Sequence, residues 1–345
     1  IVSTVRTYLR AIAPIDEPEP NLIVSTGFAV IRPKNGLDSR LAAYALRASY
    51  FVDSIVARSV GVSYPAINAS DLVNLSIALP PLSEQRAIAA FLDRETARID
   101  ALINKKERQI ELLQEKRTAL ISHVVTKGLN PDVKMKPSVI EWLGEIPEGW
   151  EVLPFKRLGD FQAGAGFPDE KQGLACKELP FYKVSDTNLE GNEAVMVVHN
   201  NSITRETAIR LRAFVFPPEA IVFAKVGAAL LLNKRRILTR ESCIDNNMIG
   251  FMRRNCELRW IYYWLCGLDL GRLANPGAVP SINEGQLREI SVSVPSSDEQ
   301  RAIAAFLDRE TARIDALIKK VEESMAKLRE FRTALISAAV TGKID

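Results

Sequence analysis

The sequence is poor in cysteine and histidine, and this scarcity excludes several classes of protein. There are two histidines, too few for a histidine-rich metal site. The cysteines are widely separated and form no CxxC pair, and they are Cys176, Cys243, Cys256 and Cys266. A chain of 345 residues is also too long to depend on disulfide staples. We therefore expect reduced thiols in the core, no metal and no disulfide framework.

Long hydrophobic runs are missing as well. The longest, such as AALLL at 228–232, are far shorter than the roughly 20 apolar residues that cross a bilayer. The opening IVSTVRTYLR lacks the charged start, apolar core and cleavage site of a signal peptide. At 47% hydrophobic and 25% charged residues, the composition is that of an ordinary soluble protein. We expect a cytoplasmic protein of two modules with no role in a membrane.

An internal repeat organises the chain. The segment EQRAIAAFLDRETARIDALI occurs at 84–103 and again, letter for letter, at 299–318, an offset of 215. RTALIS at 117–122 recurs at 332–337 with the same offset. Without a gap, this offset also aligns Pro65, Ile67, Asn68, Leu72 and Pro80 with Pro280, Ile282, Asn283, Leu287 and Pro295. The pattern indicates a duplicated module.

Each copy ends in a predicted long amphipathic helix. In the first copy Pro80 and Pro81 stop the preceding strand, Ser83 is a candidate N-cap, and no Pro or Gly follows until after Val124. Apolar residues recur at helical spacing. They are Ile88, Leu92, Ile99, Leu102, Ile103, Ile110, Leu113 and Leu120, and in the second copy Ile303, Leu307, Ile314, Leu317, Val321, Met325, Leu328 and Leu335. A rod of about 39 residues, roughly 58 Å long, needs a partner, so we predict that the two helices pair as a coiled coil.

The duplicated helix faces predict two equivalent partner sites. Identical charged and aromatic positions suit two copies of one partner, although two unrelated surface helices would be an alternative. The predicted partner-binding residues are Arg86, Phe91, Arg94 and Arg98 with Arg301, Phe306, Arg309 and Arg313.

The duplicated PP..EQRAIAAFLD junction, the terminal RTALIS and the signature EWLGEIPEGWEV at 141–152 together resemble the specificity subunit of type I restriction-modification systems. The resemblance covers the whole chain. It implies a mixed α/β (α+β) fold with two globular target recognition domains joined by two long helices packed as an antiparallel coiled coil. It also implies a non-catalytic, cofactor-free subunit that reads a bipartite double-stranded DNA target and assembles with two methyltransferase subunits and, through them, restriction subunits.

The predicted boundaries follow from the repeat and the resemblance. They are a partial first recognition domain at 1–80, a spacer helix at 81–127, a linker at 128–140, a second recognition domain at 141–295 and a second spacer helix at 296–345. The opening signature occurs once, and IVSTV at 1–5 resembles IVFAKV at 221–226, well inside the second module. By that comparison we expect about 80 residues of the first module to be absent.

Local basic excess marks the candidate DNA contacts, because Lys and Arg neutralise phosphates. The range 201–259 holds eleven Lys or Arg against five Asp or Glu, and the predicted phosphate contacts are Lys225, Lys234, Arg235, Arg236 and Arg240. Base reading needs paired donors and acceptors in loops. The candidates are Ser185, Asp186, Asn188, Asn246, Asn247, Ser281 and Asn283, with Ser63, Tyr64 and Asn68 in the first module. A turn or cap role is the alternative for each.

Two other functions are compatible with parts of the sequence. GAG at 164–166 resembles a loop that binds S-adenosylmethionine, but a DNA methyltransferase acting on an amino group also needs an NPPY-like tetrapeptide, and none is present. No phosphate-binding GxxxxGK[ST] motif occurs either. The remaining alternative is a coiled-coil adaptor that does not contact DNA.

Overall fold

The computed structural model describes residues 1–15, 19–34, 36–138, 140, 143–275 and 277–344. Glu141 and Trp142, which open the predicted second module, lie outside the described residues. The chain forms two compact units: the first unit is Ile1–Glu111 with Leu317–Asp345, and the second unit is Leu112–Ala316. Within the described residues, no helix combines the length and the apolar character that crossing a membrane requires.

The described part of the chain contains the following regular elements. The helices are α1 Ser39–Arg47, α2 Ser49–Arg58, α3 Ala69–Val73, α4 Leu82–Lys127, α5 Arg205–Arg210, α6 Ala228–Leu231, α7 Leu258–Gly267, α8 Leu270–Leu273, α9 Glu284–Glu289 and α10 Ser297–Val340. The strands are β1 Val2–Ser3, β2 Phe28–Ala29, β3 Met135–Pro137, β4 Glu145–Pro147, β5 Glu151–Pro154, β6 Gly159–Ala163, β7 Leu179–Tyr182, β8 Val195–Met196, β9 Ser202–Ile203, β10 Ile221–Ala224, β11 Arg236–Leu238, β12 Cys243–Ile244, β13 Met248–Arg253 and β14 Ser291–Val294.

The two predicted long helices are α4 and α10, with 46 and 44 residues. At 1.5 Å per residue, α4 is about 69 Å long, longer than predicted because Ser83 lies inside the helix and the helical turns continue past Val124. Gly128 follows the last helical residue with φ +79°, a conformation that glycine adopts without strain. The absence of Pro and Gly between these limits accounts for the uninterrupted helix.

The long helices pair antiparallel, as predicted. In the first unit Leu92, near the start of α4, shares a buried cluster with Ile336 and Val340 at the end of α10. Farther along, Ile99 and Ile103 pack with Val321 and Met325 in a second cluster. Arg332 Nε lies 2.9 Å from Asp100 Oδ1 beside this seam. A seam in which the start of one helix meets the end of the other requires opposite directions.

The second unit contains the same pairing with the helices in exchanged roles. Ile121 and Val124 from the end of α4 share its core with Ile303 and Leu307 from the start of α10. The ion pair is repeated too, since Arg117 Nε lies 3.1 Å from Asp315 Oδ1. The offset of 215 relates this pair to the Asp100–Arg332 pair of the first unit.

One matched position departs from the predicted apolar stripe. Leu102 and Leu317 are equivalent in the repeat, and they are 41% and 43% exposed. Both lie beside the buried seam residues but point away from the partner helix, because consecutive helical residues are rotated by about 100°. Their assignment to the buried stripe was therefore wrong.

The second unit is built around a five-stranded sheet in the order β6-β13-β10-β11-β8. A three-stranded sheet has the order β12-β7-β9. It is connected to the five-stranded sheet by a β-bridge between Ala165, after β6, and Asp245, after β12. The core below these sheets contains Phe155, Phe161, Phe251 and Trp264, whose rings pack edge to face or tilted at 4.8 to 5.3 Å. Trp150 of the opening signature is buried and donates from Nε1 to Glu299 Oε2 at 2.9 Å.

The first unit contains a smaller version of this sheet, the pair β1-β2. Thr4 N donates to Gly27 O at 2.8 Å next to that pair, and Lys225 N donates to Asn247 O at 2.9 Å next to the β10-β13 pair. Antiparallel register places Ser3 opposite Phe28 and Ala224 opposite Met248. The β1-β2 pair is thus the structural counterpart of β10-β13.

A buried glutamine connects the globular part of each unit to its long helix. Gln85 Oε1 accepts from Asp38 N, which precedes α1, at 2.8 Å, and Gln85 Nε2 donates to Pro80 O at 2.8 Å. Gln300 Oε1 accepts from Glu257 N, which precedes α7, at 2.8 Å, and its Nε2 donates to Pro295 O at 3.0 Å. Both side-chain amides therefore bond through the oxygen and the nitrogen, although only 1% of Gln85 and 3% of Gln300 is exposed.

A tyrosine hydroxyl makes the second connection. Tyr44 of α1 donates to Asp93 Oδ1 at 2.8 Å and lies 3.2 Å from Thr96 Oγ1. Tyr263 of α7 repeats the arrangement with Asp308 at 2.7 Å and Thr311 at 3.1 Å, and burial raises the pKa of Tyr263 to about 12. Helices α1 and α7 therefore dock on α4 and α10 through the same side-chain contacts.

The thiols fit the predicted core placement only in part. Cys243 and Cys256 are buried, and burial raises their pKa to about 11 and about 12, so both remain protonated and unreactive at neutral pH. Cys176 is exposed, which corrects its assignment to the core, because the segment before β7 runs over the surface.

The helix seam yields a stability prediction. We expect Ile99→Ala to lower the free energy of unfolding of the first unit by about 2 to 4 kcal/mol, because it opens a cavity in a dry seam. The matched control is Leu102→Ala on the same helix, for which we expect a loss under about 1 kcal/mol because that side chain is largely solvated. Denaturant unfolding followed by circular dichroism measures both. Equal losses from the two variants would contradict the seam.

Candidate nucleic-acid interface

Strand direction in the second unit brings several loops to one edge of the sheet. Ala163 at the end of β6 pairs with Ile249, Ala224 at the end of β10 pairs with Met248, and β11 begins at Arg236 opposite Val222. Asp245 N, after β12, donates to Tyr182 O at the end of β7 at 2.9 Å. We call the loops that leave from this edge the loop edge: residues 164–167, 183–188, 225–234, 245–247, 275 and 277–283.

The loop edge gathers most of the predicted DNA contacts of the second module. The chain segments are held together by backbone bonds, since Ile282 N donates to Lys225 O at 3.0 Å and Gly227 N donates to Pro280 O at 2.8 Å. The exposed candidates are Ser185, Asn188, Asn246, Asn247 and Asn283. The half-buried candidates are Lys225, Lys234 and Ser281. Lys234 Nζ donates to Asn188 Oδ1, which connects two of the candidates directly.

Two candidates have structural roles at the loop edge. Asn283 caps α9: its Oδ1 accepts from Gln286 N at 2.9 Å, and its own N–H donates to Gln286 Oε1 at 3.0 Å. Asp186 is 1% exposed, and its carboxylate accepts from Lys183 N at 2.8 Å and from Asn200 Nδ2 at 3.2 Å. Burial raises the pKa of Asp186. Asn283 therefore has the helix-cap role that was the alternative to base reading. Asp186 fixes the loop on which Ser185 and Asn188 lie.

The predicted surface cluster of Lys234, Arg235 and Arg236 is wrong for its two arginines. Arg235 is 2% exposed and donates from Nη2 to Leu268 O at 3.0 Å, with its guanidinium 4.9 Å above the Phe223 ring. Arg236 is 8% exposed and donates to Thr187 O at 2.9 Å. Burial lowers the pKa of Arg235 to about 10, so it stays protonated at neutral pH. Carbonyl oxygens and an aromatic face therefore replace water around these cations, and Lys234 remains as the half-buried member.

Arg240 is exposed but is not part of the loop edge. It follows the far end of β11, where its Nη2 lies 3.5 Å from His199 Nε2. A strand of three residues separates it from Lys234 by about 10 Å or more.

The first unit presents its three candidates at an equivalent edge. Ile67 N donates to Thr4 O at 2.9 Å, as Ile282 N does to Lys225 O, and Val5 bridges to Ala66 as Val226 bridges to Ser281. The predicted likeness of residues 1–5 to 221–226 thus has a structural counterpart. The exposed candidates at this edge are Ser63, Tyr64 and Asn68. The Arg6 guanidinium lies 4.7 Å over the Tyr64 ring.

The duplicated helix positions form two surfaces with matching geometry. We call them the Phe–Arg faces: the first is Phe91, Arg94 and Arg98, and the second is Phe306, Arg309 and Arg313. Arg94 lies 5.5 Å over Phe91, and Arg309 lies 5.4 Å over Phe306. The exposed fractions of the arginine side chains agree as well, at 68% and 76% in the first face and 66% and 76% in the second.

The predicted outer members of these surfaces differ between the copies. Arg86 and Arg301 are both exposed, but Arg301 pairs with Asp298, and the equivalent position in the first copy is Ser83. The two Phe–Arg faces are therefore better matched than the helix starts.

The glycine-rich segment after β6 is explained by backbone packing. A Cβ on Gly164 would lie 2.2 Å from Asp245 O and 2.3 Å from Ile244 O, so only glycine allows this close approach. Ala165 then bridges to Asp245. The segment connects the two sheets of the second unit, and this connection requires glycine at position 164.

Sequence reasoning missed the contacts that dock α1 and α7. Tyr44 and Tyr263 are related by an offset of 219, whereas the repeat has an offset of 215, so a gapless comparison does not align them. A comparison that allows a gap of four residues would align DSRLAAY at 38–44 with ELRWIYY at 257–263.

Comparisons with known proteins agree with this architecture. Residues 7–112 and 147–325 match the family described as type I restriction modification DNA specificity domain. The type I restriction enzyme MjaVIII specificity subunit of Methanocaldococcus jannaschii is 24% identical over 345 residues, covering 93% of this chain and 74% of that protein.

Two solved structures share the fold. A chain from a structure concerned with complex assembly and conformational transition of the type I R-M system matches with a TM-score of 0.76 at 22% identity, over 98% of this chain and 80% of that one. The HsdS subunit from Thermoanaerobacter tengcongensis matches with a TM-score of 0.50 at 20% identity, over 93% of this chain and 74% of that one. The duplicated helices, the equivalent loop contacts of the two units and the family match over most of the chain lead to one conclusion: this chain belongs to the type I restriction-modification DNA specificity family, whose members confer DNA target specificity.

Proposed function

We propose that the loop edge of the second unit binds one half of a bipartite duplex DNA target, and that the edge with Ser63, Tyr64 and Asn68 in the first unit binds the other half. The observation that supports this proposal is that the strand directions place residues from separate parts of the sequence at one edge of the sheet. Asn188, Asn246 and Asn247 are exposed there and carry the paired donor and acceptor that match adenine. Lys225 and Lys234 supply positive charge for phosphates.

Salt dependence tests this assignment. We expect Lys225→Ala combined with Lys234→Ala to weaken DNA binding by the assembled complex on all sequences and to flatten the salt slope by about 2 units, because each lost phosphate contact removes about 0.9. Fluorescence anisotropy over a range of salt concentrations measures the slope.

The opposite end of the same unit provides a matched control. Arg210 and Arg212 are exposed after β9, and β9 pairs with the start of β7, away from the loop edge. We expect Arg210→Ala with Arg212→Ala to leave the slope unchanged. If the salt slope changed for the arginine pair and not for the lysine pair, DNA would bind at the opposite end and the proposal would be wrong. If the slope changed for neither pair, an adaptor without DNA contact would be favoured.

We further propose that each Phe–Arg face binds one methyltransferase subunit, that restriction subunits join through that complex, and that the assembly acts on DNA in the cytoplasm. The support is the equal geometry of two surfaces that combine a half-buried phenylalanine with exposed arginines, which suits two copies of one partner. Phe and Arg are also residue types enriched at protein interfaces. The chemistry of methylation would then belong to the bound subunits.

Charge reversal tests the two faces separately. We expect Arg94→Glu or Arg309→Glu each to leave one methyltransferase subunit per chain in native mass spectrometry, and the double variant to bind none. Thermal unfolding of the chain should not change, because both arginines are exposed. Lys105→Glu, an exposed position of α4 outside the faces, is the control and should keep two subunits. Retention of two subunits by the double variant would refute the assignment.

A further inference from the structure

The loop edge also carries two leucines that the proposed function has not used. Leu230 of α6 is 1% exposed, whereas the next two residues, Leu231 and Leu232, are 51% and 60% exposed. The short helix therefore places one leucine in the core and leaves two in water. Val279, on the neighbouring segment that bonds to Gly227 through Pro280, is 60% exposed.

The segment with these leucines is held at both ends. It starts at Gly227 with φ +74° and ends at Asn233 with φ +52°. Asn233 Oδ1 accepts from Leu270 N at 3.1 Å and from Arg235 Nη2 at 3.2 Å, and its Nδ2 donates to Asp269 Oδ1 at 3.1 Å. The buried Arg235 thus positions the segment from below. A segment fixed in this way presents its side chains with little ordering cost on binding.

The charges around the leucines favour DNA as their partner. Lys225 and Lys234 lie on either side of α6 in the chain, and Arg272, with a side chain 87% exposed, lies 3.4 Å from Asp269 and offsets its charge. The exposed Asn246 and Asn247 are joined to Lys225 through the bond from Lys225 N to Asn247 O. Apolar side chains among lysines and asparagines match the major-groove edge of an A·T pair, where adenine offers N6 and N7 and thymine offers its methyl group.

We propose that Leu231 and Leu232 contact thymine 5-methyl groups in the half-site bound by the second unit. The inference rests on the proposed function of the loop edge. It adds a chemical feature of the target, because water is released when the leucine and methyl surfaces meet.

Removal of the methyl group from DNA tests this contact directly. Deoxyuridine in place of thymidine keeps the base pair and removes only the methyl group. On the target identified by mapping methylated sites, we expect each contacted deoxyuridine to weaken binding of the assembled wild-type complex roughly fourfold. For Leu231→Ala combined with Leu232→Ala, we expect weaker binding to the thymidine duplex and no further loss on the deoxyuridine duplex.

Ile209→Ala is the control, because Ile209 is 78% exposed on α5 at the opposite end of the sheets. This variant should keep the full difference between the two duplexes. The inference is overturned if the leucine variant still distinguishes the duplexes as the wild type does, if no thymine of the half-site shows methyl-dependent affinity for the wild type, or if the variant loses methyltransferase subunits instead of the methyl-dependent affinity. The Lys225→Ala, Lys234→Ala variant is measured beside it. If that variant flattens the salt slope of DNA binding while the leucine variant behaves like the wild type, the leucine contact is refuted and the proposed DNA-binding function is not.

Discussion

A tyrosine hydroxyl that leaves water must find a new partner, and in both units this partner is the long helix. Tyr44 meets Asp93 and Thr96, and Tyr263 meets Asp308 and Thr311. An unsatisfied hydroxyl in this position would cost about 1 to 3 kcal/mol, so the docking helix has one favourable rotation on the long helix. In the second unit Trp260, Ile261 and Trp264 of the docking helix belong to the core, so the same rotation fixes how α7 packs there.

The two copies of the repeat are identical because several sides of the long helix each make a specific contact. In the first copy Asp93 and Thr96 hold α1, Ile99 and Ile103 form the seam, and Arg94 points to solvent. Each of these roles needs a different side chain at a fixed helical angle. The equal exposure of the arginines in the two Phe–Arg faces shows that this part of the solvent side is duplicated as well.

The sequence was sufficient to predict the elements that depend on periodicity. The two long helices and their pairing as a coiled coil follow from apolar spacing and from the absence of Pro and Gly, and the structure confirms them. Their antiparallel direction was implied by the family resemblance, and the structure confirms that as well. Burial of charged residues could not be predicted in this way. Arg235 and Arg236 look like a surface cluster in NKRR, but Phe223 and two carbonyl oxygens from distant segments surround them in the fold. Likewise, the run AALLL does not reveal that Leu230 is buried and that its two successors are exposed.

The unequal lengths of α2 and α8 have an evolutionary consequence. Helix α2 has ten residues and α8 has four, and both lie between the docking helix of their unit and the segment that leads into the long helix. The shift in offset from 219 to 215 is absorbed there, while the tyrosine and glutamine contacts on either side keep their geometry. Insertions and deletions between the docking helix and the long helix are therefore uncoupled from the contacts that hold the two helices together. Under the proposed function, loop variation changes the DNA preference without a compensating change in the Phe–Arg faces.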